Sequence, residues 1–342
     1  MSEIVAITGG AGFIGSHLAE GFAREGYCVR VIDNLSSGNL ANLAPFWDRI
    51  EWQQVDIRNL QALTEAFRDV SIVLHHAGIA SVPRSFADRG YTHEVNVSGT
   101  LNVLLAAVQS GVRKVINVSS SSVYGSNGAD QQLETSVPSP LSPYGLSKWV
   151  AELYSTQFAN TTNLETLSLR YFNVFGPRQS ADSSYAAVIP LFSQKMAGGA
   201  RPTIFGDGTQ TRDFTFVDNI VEANLRAARI GVPPGSTLNI ATGYRVSLNE
   251  LVCSINEIMG RQIEPIYQPE RPGDIKNSCA DITKSENLLG SYNLVPFRDG
   301  LERTTAFWRK SGSLEIRKGR MKPLSTGLGK PVRKLLREIG IS

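Results

Sequence analysis

Residues 8–15 read Thr8-Gly9-Gly10-Ala11-Gly12-Phe13-Ile14-Gly15, and they join an apolar run, Ile4 to Ile7, to a segment of helical period, Phe13 to Arg24. The glycines at positions 9, 12 and 15 form the pattern G-x-x-G-x-x-G. Glycine permits a tight turn and lets backbone N–H groups approach a pyrophosphate at the positive end of a helix. The order of strand, loop and helix favours a dinucleotide-binding loop; a simple glycine-rich turn is the alternative.

Short apolar runs and segments of helical period continue to alternate through the first 175 residues. The elements predicted in this way are Val29–Ile32, Ile72–Leu74, Val95–Val112, Val115–Val118, Tyr144–Phe158 and Leu167–Leu169. Their alternation predicts an α/β fold with a Rossmann-type doubly wound parallel sheet covered by helices on both faces. Strands buried on both faces read as continuous apolar runs, as these do.

From Pro177 onward, proline and glycine become frequent and the alternation breaks. We expect residues 1–176 to form the dinucleotide-binding domain, with segments near 213–242 returning to its sheet. Residues 177–309 are expected to form mainly a smaller, interleaved C-terminal substrate lobe, followed by a basic tail over residues 310–342.

The composition, 42% hydrophobic and 19% charged over 342 residues, is that of a soluble globular protein. No apolar run approaches the roughly 20 residues of a membrane span, and the start lacks the features of a signal peptide, so we expect a cytoplasmic protein. Cys28, Cys253 and Cys279 are far apart and odd in number, which favours reduced packing residues over a disulfide framework or a metal knuckle.

The net charge of +3 is unevenly distributed along the chain. Residues 310–342 hold nine basic side chains against two acidic ones, a balance of +7 that leaves −4 for the rest. A mildly acidic body argues against nucleic acid as a partner.

Asp33 ends the second predicted strand, eighteen residues beyond Gly15. A carboxylate there accepts hydrogen bonds from the adenosine ribose hydroxyls and repels a 2′-phosphate. No arginine lies in residues 33–38, so NAD is favoured over NADP. Asp56 and Ile57 follow the third strand, where they suit an adenine edge and face; the alternative is that Asp56 caps a helix that begins near Leu60.

Tyr144 and Lys148 have the spacing Y-x-x-x-K, which alone is a weak motif. A free tyrosine has a pKa near 10, and a cation within about 4 to 6 Å lowers such a pKa by roughly 1 to 3 units. Lys148 should lie on the same helix face as Tyr144, and a nicotinamide ring would add its own positive charge. We therefore predict Tyr144 and Lys148 as the proton-transfer pair, with the Ser120 hydroxyl bonded to the reacting oxygen.

With these motifs in hand, the chain resembles the extended short-chain dehydrogenases/reductases, and within them the nucleotide-sugar 4-epimerases, from about Ile4 to Trp308. The matching segments are Thr8–Gly15, Asp33–Gly38, Asn96–Thr100, Ser119–Gly125, Tyr144–Lys148, Leu169–Pro177, Arg212–Phe214 and Arg271–Asp274. The resemblance implies tightly held NAD, a homodimer, and proton removal by Tyr144 from a sugar 4-hydroxyl as the C4 hydride moves to the nicotinamide. The resulting 4-keto sugar then rotates and is reduced on its other face.

The resemblance also implies two sets of binding residues. The cofactor set is Gly9, Gly12, Phe13, Ile14, Gly15, Asp33, Asn34, Ser37, Gly38, Asp56, Ile57, His76, Ala77, Ala80, Asn96, Tyr144, Lys148 and Tyr171. The set for a UDP-sugar substrate is Ser81, Ser120, Asn173, Val188, Ile189, Thr203, Arg212, Arg271, Asp274 and Ser278, with the segment Tyr185 to Pro190 beside the uracil. Arginine suits a diphosphate because its fork donates two parallel hydrogen bonds, although each arginine taken singly also suits a surface ion pair.

Ser278 indicates which sugar is accepted. Four residues after Asp274, glucose-restricted members of the resembled family have a tyrosine, which would crowd an N-acetyl group at C2. Crowding typically costs about 1 to 3 kcal/mol. We therefore expect UDP-N-acetylglucosamine and UDP-N-acetylgalactosamine as substrates, with UDP-glucose and UDP-galactose as poorer ones; the alternative is that Ser278 is a neutral surface residue.

Several rival functions are weighed against this one. Family dehydratases have Asp-Glu where this chain has Ser121 and Ser122, so the general acid for dehydration is missing, and a decarboxylase lacks its glutamate in the same stretch. A 4-epimerase of UDP-glucuronate is the close rival, because residues 119–125 also resemble that subgroup. A catalytically silent NAD-binding protein is disfavoured by Tyr144, Lys148 and Ser120 together.

Two features lie outside this scheme. His75 and His76 close the fourth predicted strand, and because no cluster has metal-ligand spacing we interpret them as packing residues and expect no metal. In the tail, an apolar stripe with basic neighbours could bind weakly to a membrane surface, whereas a disordered or self-docked tail is the simpler alternative. The stripe consists of Val332, Leu335, Leu336 and Ile339.

Overall fold

The computed structural model describes residues 3–126, 129–181, 187–270 and 276–317, with side chains described to residue 309. Its main sheet has seven strands, all parallel, in the order β11-β6-β5-β4-β1-β2-β3. They are β1 Ile4–Thr8, β2 Cys28–Asp33, β3 Ile50–Gln54, β4 Val70–His75, β5 Lys114–Ser120, β6 Glu165–Tyr171 and β11 Ser236–Ile240. The predicted doubly wound sheet is confirmed, and β11 is the predicted return of the chain to it.

Helices cover both faces of this sheet because both faces are apolar. Along β1, Val5 and Ile7 pack on one face with α1 and α8, while Ala6 packs on the other face with α2, α5 and α6. All three of these β1 side chains are fully buried. These helices are α1 Phe13–Arg24, α2 Leu60–Ala66, α5 Gly99–Gln109, α6 Pro143–Thr161 and α8 Val217–Arg229; the short helices α3 Val82–Ala87 and α4 Arg89–His93 lie between β4 and α5.

The smaller lobe contains three pairs of short strands and its own apolar core. The strands are β7 Val174–Phe175 with β10 Thr215–Phe216, β9 Thr211–Arg212 with β12 Val246–Ser247, and β8 Thr203–Phe205 with β13 Ile266–Gln268. The remaining helices are α7 Val188–Ala197, α9 Leu248–Met259, α10 Thr283–Leu289 and α11 Phe297–Arg317. Phe175 is the centre of an aromatic cluster whose rings are 5.5 to 6.3 Å from its own.

Two boundaries differ in detail from the sequence pattern. The segment predicted as one helix over Val95–Val112 begins with a π-helical turn, Glu94–Ser98, before α5. Helix α11 continues to Arg317, so the position at which we expected the lobe to end, residue 309, lies inside a helix. Within the described ranges, none of the helices combines the length and the apolar character that crossing a bilayer requires.

Candidate active site

The main cavity lies where the strand order reverses, at the carboxyl ends of β1 and β4, and has a volume of about 450 Å³. In doubly wound sheets this crevice is the usual place for a ligand. The cavity is lined by most of the predicted residues: Gly9, Gly12, Phe13, Ile14, Gly15, Asp33, Asn34, Ser37, Asp56, Ile57, His76, Ala77, Ala80, Ser120, Tyr144, Lys148, Tyr171 and Asn173. The fold therefore brings together residues that are up to 164 positions apart.

The glycine loop is shaped by close approaches of backbone to backbone. Gly9 has φ +69°, and a Cβ there would lie 2.6 Å from the Ala77 nitrogen. A Cβ at Gly15 would lie 2.2 Å from the Gly9 carbonyl oxygen. Gly12 precedes α1 without a side-chain cap, so the amino end of α1 stays uncovered where Phe13 and Ile14 line the cavity. This cradle fits a pyrophosphate.

Asp33 is buried at the end of β2 and held by backbone donors. Its carboxylate accepts hydrogen bonds from the N–H of Ala11 at 3.0 Å and of Leu35 at 2.8 Å. Burial raises the pKa of Asp33, and these two donors oppose the rise. Gly38 lies against this carboxylate, since a Cβ there would be 2.8 Å from both oxygens. The carboxylate thus has a fixed orientation and its remaining acceptor sites face the cavity edge.

Asp56 does not cap α2, so that alternative is wrong. The N-cap is Asn59, whose side chain accepts a hydrogen bond from the N–H of Ala62. Asp56 instead lines the cavity, accepts a hydrogen bond from Asn34 Nδ2 at 2.9 Å and pairs with Arg58 at 2.9 Å. Arg58 lowers the pKa of Asp56 to about 2, so this carboxylate is charged at neutral pH.

The proposed catalytic side chains come from two elements. Ser120 is the last residue of β5, and Tyr144 and Lys148 lie one turn apart on α6, as the spacing predicted. All three line the cavity, and the Ser120 hydroxyl bonds Ser122 Oγ at 3.2 Å. The Lys148 ammonium donates a hydrogen bond to the Val118 carbonyl at 3.1 Å.

Among the protein's own side chains, Lys148 does not offset the effect of burial on the pKa of Tyr144. Burial raises the pKa of Tyr144, and the hydrogen bond with Ser120 opposes the rise. Burial also lowers the pKa of Lys148 to about 8, against the attraction of Glu152. Removal from water destabilises both charged forms, and the local spacing of the motif does not reveal this effect.

The two histidines take part in packing and hydrogen bonding. The His75 ring bonds Thr8 Oγ1 at 2.8 Å and Thr100 Oγ1 at 3.0 Å, which joins the glycine loop to α5. His76 Nε2 is 2.9 Å from the Tyr171 hydroxyl. Burial lowers the pKa of His76 to about 3, so its ring is neutral at the cavity wall. In the ranges that the structure describes, no group of three or more side chains could hold a metal ion.

Two of the residues predicted to contact a ligand do not line the first cavity but lie next to residues that do. The Asn96 carboxamide bonds the Ile79 N–H at 2.7 Å and the Ser147 hydroxyl at 2.9 Å, and thereby ties the loop after β4 to α6. The Ser81 hydroxyl accepts a hydrogen bond from the Arg84 N–H at the start of α3, between Ala80 and Val82 of the cavity wall. Direct ligand contact by Asn96 or Ser81 stays a prediction.

A second cavity, of about 330 Å³, opens beside the first in the smaller lobe. Asn173 and Val174 line both cavities, so the two are adjacent. The second cavity brings together the predicted substrate residues Asn173, Val188, Ile189, Thr203 and Arg212. Its walls are otherwise apolar or aromatic apart from Gln210, and they include Phe175, Phe192, Phe205 and Phe214.

Asp213, next to Arg212, connects three segments of the chain near this cavity, a role that was not predicted from the sequence. Its buried carboxylate accepts hydrogen bonds from Thr242, Gly243 and Ala280. Nearby, the N–H of Ser278 donates to the Thr211 carbonyl at 3.2 Å, so Ser278 is half-buried beside the strand that contains Arg212. Its position relative to a sugar stays a prediction.

The sequence pattern also missed other lining residues, mainly small or apolar ones that carry no motif. In the first cavity these include Ser36, Ile79, Tyr91, Val95, Val118, Val174 and Gln179, and in the second they include Gln210 and Leu248. Their positions after strand ends were the available signal. The predicted residues Arg271, Asp274, Tyr185 and the apolar stripe of the tail lie outside the described residues.

Comparisons with known proteins agree with this geometry. Residues 5–241 match the model of the "NAD dependent epimerase/dehydratase family". The UDP-glucose 4-epimerase of Mycolicibacterium smegmatis is 37% identical over 310 residues, 89% of this chain and 97% of the relative.

Two solved structures show the range of sugars among similar proteins. A UDP-N-acetylglucosamine 4-epimerase from Methanobrevibacter ruminantium, in complex with UDP-N-acetylmuramic acid, has a TM-score of 0.85 and 36% identity, covering 91% of this chain and 100% of its own. A UDP-glucuronic acid 4-epimerase from Bacillus cereus, with UDP-glucuronic acid and NAD, has a TM-score of 0.83 and 30% identity, covering 90% and 99%.

Proposed function

The chain belongs to the NAD dependent epimerase/dehydratase family, and from that premise we propose that it interconverts UDP-N-acetylglucosamine and UDP-N-acetylgalactosamine. At the coarser level it is an NAD-dependent UDP-sugar 4-epimerase of the extended short-chain dehydrogenase/reductase type. The observation that carries the proposal is the meeting of Ser120, Tyr144 and Lys148 in one cavity beside the glycine loop.

The first cavity fits NAD. The glycine cradle and the open amino end of α1 would hold the pyrophosphate, and Asp33 would accept hydrogen bonds from the adenosine ribose. Bound NAD supplies a hydride acceptor, and a positively charged ring beside the tyrosine. That charge would offset the burial that raises the pKa of Tyr144.

The protein's own groups then move one proton. We assign Tyr144 to take the proton from the sugar 4-hydroxyl and to return it after the hydride has come back to the other face of C4. Ser120 would share a hydrogen bond with the same oxygen, and the Lys148 ammonium would stabilise the phenolate. No net oxidation results, because the hydride that leaves C4 returns to it.

The second cavity is assigned to the nucleotide half of the substrate. Arg212 and Asn173 line it, and a guanidinium suits a diphosphate. Asn173 lines both cavities, and in this proposal it would lie between the reacting sugar and the diphosphate. The apolar side chains Val188 and Ile189 would pack against the uracil.

Ser278 supports the N-acetylated sugars as substrates. Its small side chain lies beside the strand of Arg212, and the relative from Methanobrevibacter ruminantium binds a nucleotide sugar with an N-acetyl group. Dehydration is disfavoured because Ser121 and Ser122 line the cavity next to Ser120. Among the described lining residues the carboxylates are Asp33 and Asp56, which follow β2 and β3 rather than β5.

The test is incubation of the purified protein with each UDP-sugar, without added NAD, followed by chromatographic separation of epimers. We expect conversion of both UDP-N-acetylhexosamines and slower conversion of UDP-glucose and UDP-galactose. Conversion of UDP-glucuronate alone would replace the proposal with its rival. Ser278→Tyr should lower kcat/KM for the N-acetylated pair by tens of fold, corresponding to about 1 to 3 kcal/mol, with UDP-glucose as the internal control.

A homodimer is part of the proposal. Leu146 and Leu153, seven residues apart on α6, are 49% and 53% exposed, which leaves an apolar stripe on the outside of this helix. Light scattering coupled to size exclusion should give twice the chain mass, and Leu153→Glu should shift it to the monomer. A monomeric wild-type protein would contradict this part.

A further inference from the structure

Helix α6 carries a third buried polar residue in line with the two catalytic ones. Tyr144, Lys148 and Glu152 follow each other at intervals of four, so they share one face of α6. Lys148 is 6% exposed and Glu152 is 4% exposed. The proposed mechanism uses the first two, and Glu152 stands one turn farther from the cavity.

Residues at the end of β5 contact this face of α6. The Val118 carbonyl accepts a hydrogen bond from Lys148 at 3.1 Å. The Ser119 hydroxyl donates to Glu152 Oε1 at 2.5 Å, and the next residue, Ser120, lines the same cavity as Tyr144. The two consecutive hydrogen bonds set the register between the strand end and the helix.

Arg170 of β6 completes the arrangement from the neighbouring strand. Its Nε and Nη2 donate to the two Glu152 oxygens at 2.8 and 2.7 Å. Its guanidinium carbon also lies 4.7 Å from the centroid of the Tyr124 ring. A two-pronged arginine pair fixes the plane of a carboxylate, so Glu152 has one orientation.

We propose that Glu152 is a positioning residue for the catalytic pair, holding Ser119 and thereby Ser120 in register with Tyr144 and keeping Lys148 in its ammonium form. The effect on catalysis rests on the proposed function, whereas the contacts of Glu152 with Ser119 and Arg170 are observed in the structure. Removal of the carboxylate charge should act on Lys148 even in protein that is not turning over.

Among the groups that affect the pKa of Lys148, Glu152 is the one that favours the charged ammonium form over the neutral amine. From β4, His75 and His76 face it, and both are neutral because burial lowers the pKa of each ring. From β6, Tyr171 lines the same cavity as Lys148, and Arg170 pairs with Glu152 without cancelling the attraction of Glu152 for Lys148.

The experiment compares Glu152→Gln with a matched control, Glu165→Gln. Glu165 also pairs with a buried cation, Lys114, at 2.9 Å, but at the opposite end of the same two strands. The pKa of Lys148 is measured in each purified protein from the pH dependence of acetylation by acetic anhydride, read by peptide mass spectrometry. We expect Glu152→Gln to lower this pKa by about one unit, the small end of charge-pair effects because Arg170 shares the carboxylate, and Glu165→Gln to leave it unchanged.

Ser119→Ala separates position from charge, because it removes the hydrogen bond and retains the carboxylate. We expect it to lower kcat about tenfold with no change in the pKa of Lys148. An unchanged Lys148 pKa in Glu152→Gln overturns the role of the charge, and an unchanged kcat in Ser119→Ala overturns the role in positioning.

Two further outcomes are also decisive. If Glu152→Gln does not fold, Glu152→Asp takes its place, because it withdraws the carboxylate by one methylene: a lowered Lys148 pKa supports the role of the charge, and a pKa within 0.3 units of wild type overturns it. If the wild type converts no UDP-sugar, the proposed function fails, and the acetylation profile still tests the effect of the Glu152 charge on Lys148.

Discussion

An ion pair with a buried cation lies near each end of strands β5 and β6, and the two pairs differ in their surroundings. At the amino ends, Lys114 pairs with Glu165 at 2.9 Å and also donates to the carbonyls of Ala227 and Ile230 at the close of α8. At the carboxyl ends, Arg170 pairs with Glu152 at 2.7 Å beside the catalytic cavity. The ion pair at the amino edge therefore holds parts of the fold together, whereas the ion pair at the carboxyl edge holds side chains next to the cavity.

The difference follows from how a doubly wound sheet is built. Each crossover helix returns the chain to the amino edge, where a helix end covers the strands and the lysine finds its acceptors. The carboxyl edge parts where the strand order reverses, and polar side chains there face a cavity. Changes at the carboxyl edge should therefore alter rate, and changes at the amino edge should alter stability.

The largest effect is expected from Tyr144→Phe at the carboxyl edge. Loss of the phenolic proton acceptor should lower kcat by roughly 10² to 10⁴, because that is the usual contribution of a positioned acid or base. NAD retention, measured after denaturation of the purified protein, should be unchanged, as should the thermal midpoint. Turnover equal to wild type would end the assignment of Tyr144.

A smaller effect, on stability instead of rate, is expected from Glu165→Gln at the amino edge. Lys114 has a fully buried side chain. Without the Glu165 carboxylate, the Lys114 ammonium keeps its hydrogen bonds to backbone carbonyls but loses its ion pair. We expect a loss of about 1 to 3 kcal/mol in the free energy of unfolding, measured with urea, because a buried charged group loses its partner. A changed pH profile of kcat in this variant would break the contrast between the edges.

The smallest effect concerns pH. Burial lowers the pKa of Lys148 to about 8, so kcat should fall about fivefold between pH 8 and 9 as the ammonium is lost. Since the native state releases this proton before the unfolded chain does, the group makes folding more favourable as the pH rises through this range. A loss of rate accompanied by a falling thermal midpoint would contradict this explanation.

Much of the architecture could be predicted because it depends on local order. The glycine loop, the strand ends at Asp33 and Ser120, and the i, i+4 spacing of Tyr144 and Lys148 all hold in the structure. The role of Asp56 was less accessible, because a residue before a helix can serve as a cap or turn its side chain toward a cavity, and here Asn59 serves as the cap. Asp213 was missed because its partners, Thr242 and Ala280, are distant in sequence.

The amino-acid sequence by itself determined the doubly wound sheet, the glycine loop and the spacing of the proposed catalytic pair, since periodicity and spacing depend on neighbours along the chain. Only the tertiary structure decided the electrostatics of that pair. The pKa of Tyr144 is raised and that of Lys148 is lowered because folding removes both from water. The Glu152–Arg170 pair likewise forms only when α6 packs on β6. Desolvation and long-range pairing depend on what surrounds a side chain in space, which spacing along the chain does not specify.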